Sequence, residues 1–111
     1  TYVGLMPRYR LNGAARQVAA DLMKARMQAV KLNTNVTATF NSSTDSYTIS
    51  GGSYSETFNI QGQYPGVELL SSGTPVFYPR GTAANSITVT LSNASGAKQV
   101  EVNIVGRVKI I

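Results

Sequence analysis

Residues 11–32 read LNGAARQVAADLMKARMQAVKL, and their apolar positions decide the fold. Leu11, Ala15, Val18, Leu22, Ala25, Ala29 and Leu32 follow one another in steps of three and four, which places them on one stripe of an α-helix. At ~100° per residue, Leu11, Val18, Leu22, Ala25 and Ala29 fall within roughly 60° of one another. Ala19, Met23 and Val30 form a second apolar strip about 100° round. Arg26 projects between the two, and Arg10, Arg16, Lys24 and Lys31 take the opposite, solvated side. The helix is expected over about residues 8–33. It starts near Pro7 or Arg8, where proline is tolerated in a first turn, and ends in the turn chemistry of Asn33-Thr34-Asn35. Some 25 residues at ~1.5 Å each make a rod of roughly 37 Å, long enough for its first turns to project from a small domain. Gly13 inside it costs on the order of 1 kcal/mol relative to alanine, and reads as a tolerated accident or a close helix–helix approach.

After Asn33 the period changes from 3.6 to two. Asn35–Phe40 and Ser46–Ser50 alternate across a turn at residues 41–45 and form a hairpin. Further strands are expected at Tyr54–Ile60, Val67–Leu70, Pro75–Tyr78, Ser86–Leu91, Gln99–Ile104 and Arg107–Ile111. Asn93–Gly96 forms a hairpin loop, and Val105-Gly106 reads as a tight turn in preference to a glycine bulge. One helix followed by runs of antiparallel strands is an α+β layout: a long N-terminal amphipathic helix packed on a small β-domain over about residues 35–111. With 111 residues the chain suffices for one domain, residues 1–111.

Composition removes much chemistry. There is no cysteine and no histidine, so disulfides, thiolate metal sites, and triads built on either residue are excluded. Asp45, Glu56, Glu68 and Glu101 are spaced like solvated strand and loop carboxylates and not like an acid–base pair. No phosphate loop, dinucleotide fingerprint or calcium loop is present, so no cofactor and no metal is expected. A small enzyme or ligand-binding module would need a deep pocket with converging carboxylates. Tyr47, Tyr54, Phe58, Tyr64, Phe77 and Tyr78 read as core-filling aromatics in preference to a base-stacking surface.

The net charge of +5 sits entirely on the helix. Residues 1–33 carry six cations against Asp21 alone, whereas residues 34–111 carry four of each sign. Such a helix suits anionic headgroups, acidic neighbouring subunits or nucleic acid. Arg26, set among apolar neighbours, must snorkel or find acceptors, and a structural role bonding a carboxylate or strand-end carbonyls is expected. No run of eighteen apolar residues is present. Tyr2–Pro7 reads like the tail of something apolar, so either a hydrophobic segment precedes Thr1 or the terminus is processed.

Residues 19–33, with Leu22, the Ala25-Arg26 pair, Ala29 and Asn33, resemble the helix of the GspH/FimT family of minor pilins and pseudopilins. The run Phe77-Tyr78-Pro79-Arg80-Gly81-Thr82, then a strand, Leu91-Ser92-Asn93, Gly96 and Gly106-Arg107-Val108, resembles the same family's ending. The resemblance implies a pilin-like fold. It also implies a non-catalytic subunit of a type II secretion pseudopilus or type IV pilus, acting through helix packing and contacts with other pilin subunits. Leu22, Arg26, Pro79, Gly81 and Gly106 would be its structural residues. It implies single-pass anchoring in the bacterial inner membrane by a helix before Thr1, with Pro7 resembling the proline of the long pilin helix and the β-domain periplasmic or at the filament tip. Some pilus members bind DNA through a Gly-Arg-x-Arg-like tail. Here the tail is Gly106-Arg107-Val108-Lys109, and lysine keeps the charge but loses the planar fork. A DNA-binding minor pilin using Arg107, Lys109, Lys98 and Arg80 is therefore the alternative.

Overall fold

The protein is described by a computed structural model covering the backbone from Tyr2 to Ile111, with side chains from Arg8 onward. The expectations for Thr1 and for the side chains of Tyr2–Pro7 lie outside the described residues. Helix α1 runs Tyr2–Leu32, 31 residues, and so begins six residues before the expected start. A proline withdraws one backbone donor, and that alone does not end a helix. The C-terminus is a Schellman closure. Asn33 takes a left-handed φ of 51°, Thr34 N donates to Ala29 O at 3.2 Å and Asn33 N to Val30 O at 3.4 Å.

The strands form two four-stranded antiparallel sheets. β1 (Val36–Asn41), β2 (Ser46–Gly51), β3 (Tyr54–Asn59) and β5 (Val76–Phe77) order as β3-β2-β1-β5. β4 (Glu68–Ser71), β6 (Ile87–Asn93), β7 (Gly96–Val102) and β8 (Val108–Ile110) order as β4-β6-β7-β8. Beyond shifts of one or two residues at strand ends, three features differ from the sequence reading. Residues 60–63 form a single-turn helix, α2 (Ile60–Gln63), instead of extending a strand, because the Asn59 side chain caps it by accepting from Gly62 N at 3.0 Å. The β6–β7 ladder runs to Asn93↔Gly96, so the loop shrinks to Ala94-Ser95 and β7 starts at Gly96, not Gln99. The β7–β8 connection spans 103–107: Gly106 N donates to Asn103 O at 2.9 Å, Asn103 N to Arg107 O at 3.1 Å, and Gly106 sits at φ 88°. It is thus a turn closed by a left-handed glycine, combining the two readings.

One continuous core joins the helix to both sheets. The inner helix stripe from Leu11 to Ala29, Leu22 included, is buried against Val36, Ala38, Tyr47 and Ile49 of the first sheet and Leu69, Val89, Leu91, Val100 and Val102 of the second. Leu32, by contrast, is 39% exposed. Gly13 is neither an accident nor a helix–helix contact: a Cβ there would lie 2.7 Å from Cε1 of Tyr64, whose ring rests on the helix. Asp45, read as a solvated turn carboxylate, is a staple between the sheets. At φ 50° it accepts from Leu69 N (2.9 Å) and Gln61 Nε2 (3.1 Å), and its carbonyl accepts from Ile60 N at 2.9 Å.

Candidate assembly interface

Three of the five residues singled out as structural, Arg26, Gly81 and Gly106, meet at one point, and Pro79 lies in the turn that brings Gly81 there. Pro79 and Arg80 occupy a turn in which Gly81 N donates to Tyr78 O at 2.9 Å and Tyr78 N to Thr82 O at 2.8 Å. This turn presents the Gly81 carbonyl to α1, where Arg26 Nε donates to it at 2.8 Å. Gly106 arrives from the β7–β8 turn on the other side: a Cβ on Gly106 would stand 2.0 Å from Gly81 O and 3.0 Å from Arg26 Nε. One arginine thus joins the helix to two distant turns through a loop carbonyl, without a carboxylate. Its guanidinium remains exposed, which spares it the cost of burial. Leu22, one turn earlier, anchors the same stretch of helix in the core.

A second anchor is not evident from sequence. Asp21, 5% exposed, accepts a very short hydrogen bond from the Tyr47 hydroxyl and another from Gln17 Nε2 at 2.9 Å. Burial, then the bond to Asp21, pushes the Tyr47 phenol far above its ordinary range. The Tyr47 ring packs between Phe40 (centroids 5.2 Å apart) and Phe58 (5.3 Å). Tyr47 and Phe77 are fully buried, and Tyr54, Phe58 and Tyr64 pack against the core. Tyr78 instead stacks beneath the Arg80 guanidinium at 5.0 Å. At the surface, Lys24 pairs with Glu56 at 3.3 Å while Tyr54 donates to the same carboxylate oxygen at 2.6 Å. The tyrosine bond first, then the lysine, holds the Glu56 carboxyl below its usual range. This contribution is present above the ordinary carboxylate pKa and is lost as pH falls through the lowered value.

Outside the buried stripe, α1 exposes large apolar side chains among its cations. Tyr9 is 75% exposed, Met23 47%, Met27 70% and Val30 53%, and Ala20 is exposed between them. Of the second strip read from sequence, only Ala19 enters the core; Met23 and Val30 face out. The inner stripe already fills the space over both sheets, so a second strip 100° away has nothing beneath it. Met27 and Val30 line a groove with Arg26, Lys31, Arg80 and Gly81, so the outward stripe continues directly onto the arginine junction.

The four residues assigned to DNA are not gathered on one surface. Lys98 pairs in register with buried Leu91 and therefore emerges on the helix side of its sheet. Lys109 pairs with Glu101, on the opposite face. Arg80 stands at the C-terminal half of α1, with its Nε on Thr82 Oγ1 at 2.9 Å. Arg107 follows Gly106 and is exposed. Among the described residues no three acidic side chains converge as a metal site would require.

The family model described as type II transport protein GspH matches residues 14–106, which take in the core stripe beyond Leu11, the Arg26–Gly81 bond and Gly106. The chain belongs to the GspH family. Its pilin-like fold is shared with the type IV minor pilin FimU of Pseudomonas aeruginosa, at a TM-score of 0.75 and 16% identity over 94% of this chain and 90% of FimU. It is shared equally with the minor pseudopilin EpsH of the Vibrio cholerae type 2 secretion system, at 0.74 and 9% identity over 92% and 96%. Among curated protein sequences none matches this chain. In this GspH-family domain the helix from residue 14 onward and the arginine junction lie within the matched stretch, and the outward stripe largely does too, Tyr9 alone preceding it.

Proposed function

We propose that this protein is a non-catalytic minor pilin or pseudopilin that works by laying the outer face of α1 against the helices of neighbouring subunits in a type II secretion pseudopilus or type IV pilus. A hydrophobic helix preceding Thr1 would hold it in the bacterial inner membrane, with the β-domain periplasmic or at the filament tip. The observation that carries this reading is the division of one helix into two apolar faces. The inner stripe is buried, while Met23, Met27 and Val30 stand 47%, 70% and 53% exposed among the described residues. Large apolar side chains aligned along an exposed helix face mark an interaction surface. Membership of the GspH family narrows the partner to other pilin-like subunits.

The test separates assembly from folding. Met27→Asp with Val30→Asp, in the full-length gene, is expected to reduce secretion or piliation at least tenfold. The purified domain should melt within a few degrees of wild type, since exposed substitutions ordinarily change stability by no more than about 0.5 kcal/mol. Normal secretion or piliation by that variant would refute the reading. The coding sequence upstream of Thr1 is expected to hold a short basic leader ending in glycine and then about twenty apolar residues.

A further inference from the structure

A separate cluster of cations surrounds Lys98, at the other half of the helix. Arg8, Asn12 and Arg16 follow one another at intervals of four on α1, so they share one side of it. Lys98 reaches toward the helix from β7, just beyond the tight β6–β7 loop. Arg8, Asn12, Gly96 and Lys98 line one groove between helix and hairpin, and Asn12, Arg16, Lys98 and Ile110 line the adjoining one. Among the described residues, none of the three cations has a hydrogen bond or an ion pair, the one salt bridge being Lys24–Glu56.

The five Asp and Glu side chains are all engaged or placed elsewhere. Asp21 is held by Tyr47 and Gln17, Asp45 by Gln61 and Leu69, and Glu56 by Lys24 and Tyr54. Glu101 pairs in register with Lys109 and Glu68 with Ser92, both on the sheet face turned away from the helix. The three cations therefore flank two adjoining grooves that share Asn12 and Lys98, with no acidic side chain of the described residues beside them. Their mutual repulsion is relieved by an anion that offers several oxygens to guanidinium and ammonium donors.

We propose that this cleft binds the phosphodiester headgroup of an anionic phospholipid. Leu11 and Ile110 border it, giving an apolar margin beside the charge. The cations of the cleft are not continued by Arg80 and Lys31, which stand at the opposite half of the helix. That confinement fits a single headgroup better than the extended phosphate track of a nucleic acid. The choice of lipid rests on the membrane-anchored reading above, in which the N-terminal half of α1 faces the bilayer. The cleft would then steady the domain against the membrane surface before it enters a filament.

The chain of residues 1–111 is tested by co-sedimentation with phosphatidylcholine vesicles, with and without phosphatidylglycerol. At low salt it is expected to bind the anionic vesicles and not the neutral ones. Arg16→Glu with Lys98→Glu should weaken binding at least about tenfold, while Lys31→Glu with Arg80→Glu, an equal change in net charge, should alter it less than about twofold. A measurement on the unmodified chain guards against misfolding of the variants. Soluble short-chain phosphatidylglycerol should shift the NMR amide signals of Asn12, Gly96 and Lys98 first. Equal losses in the two double variants, equal binding to neutral vesicles, shifts centred elsewhere, or a preference for duplex DNA through the same residues would each overturn the proposal. Because filament assembly is read by secretion or piliation, either proposal can fail while the other stands.

Discussion

Gly106→Ala is expected to destabilise the domain by about 3–5 kcal/mol, a large share of the roughly 5–15 kcal/mol that holds a domain of this size together. Two effects add. At φ 88° an L side chain strains the backbone. The new Cβ would also stand 2.0 Å from Gly81 O, so the turns must separate. That separation takes away the acceptor of Arg26 Nε and opens the seam between helix, 78–82 turn and β7–β8 turn. Denaturant unfolding measures the loss. Gly96→Ala is the matched control: its φ is 138° and a Cβ there meets nothing within 4 Å, so only the backbone term remains. A loss at Gly106 no larger than at Gly96 would show that the junction contributes nothing.

Tyr47→Phe is expected to cost about 1–3 kcal/mol at neutral pH, more than the net value of an ordinary hydrogen bond. The ring and its stacking on Phe40 and Phe58 survive, but the buried Asp21 carboxylate keeps only Gln17. Removing both partners should cost less than removing one, so Asp21→Leu with Tyr47→Phe is expected to recover at least about 1 kcal/mol of the single variant's loss. There is also a pH signature. The folded-state pKa of Tyr47 is raised, so its contribution is whole below the unfolded phenol value of about 10 and is lost as pH rises beyond it. Wild type should therefore lose stability above pH ~10 more steeply than Tyr47→Phe. Parallel curves for the two would remove the buried phenol–carboxylate bond from the account.

What the sequence disclosed follows from the range of the interactions. The helix stripe and the switch to a period of two are local signals, and both appear where residues 11–32 and the later strands place them. The Arg26 acceptor was foreseeable in kind, since a guanidinium amid apolar residues needs oxygen. Its identity was not, because Gly81 lies 55 positions away. Asp21 looked like the single acid of a basic helix. Its burial depends on Tyr47, 26 residues on, whose side chain faces it only once β2 pairs with β1. The separation of Lys98 from Lys109 hinges on the β7–β8 register, which neither residue reports alone. Met23 and Val30 show the limit of periodicity: it finds apolar faces, and only the packed structure tells which are covered.

The account comes down to the outer face of α1, and site-specific photo-crosslinking in the native cell tests it most directly. A photoreactive residue at Met27 of the full-length protein should yield adducts whose partners mass spectrometry identifies as pilin-like subunits. The same residue at Thr90, on the sheet face turned away from the helix, should yield none of them. Adducts of equal yield from both positions, or no pilin-like partner at Met27, would contradict helix-mediated assembly.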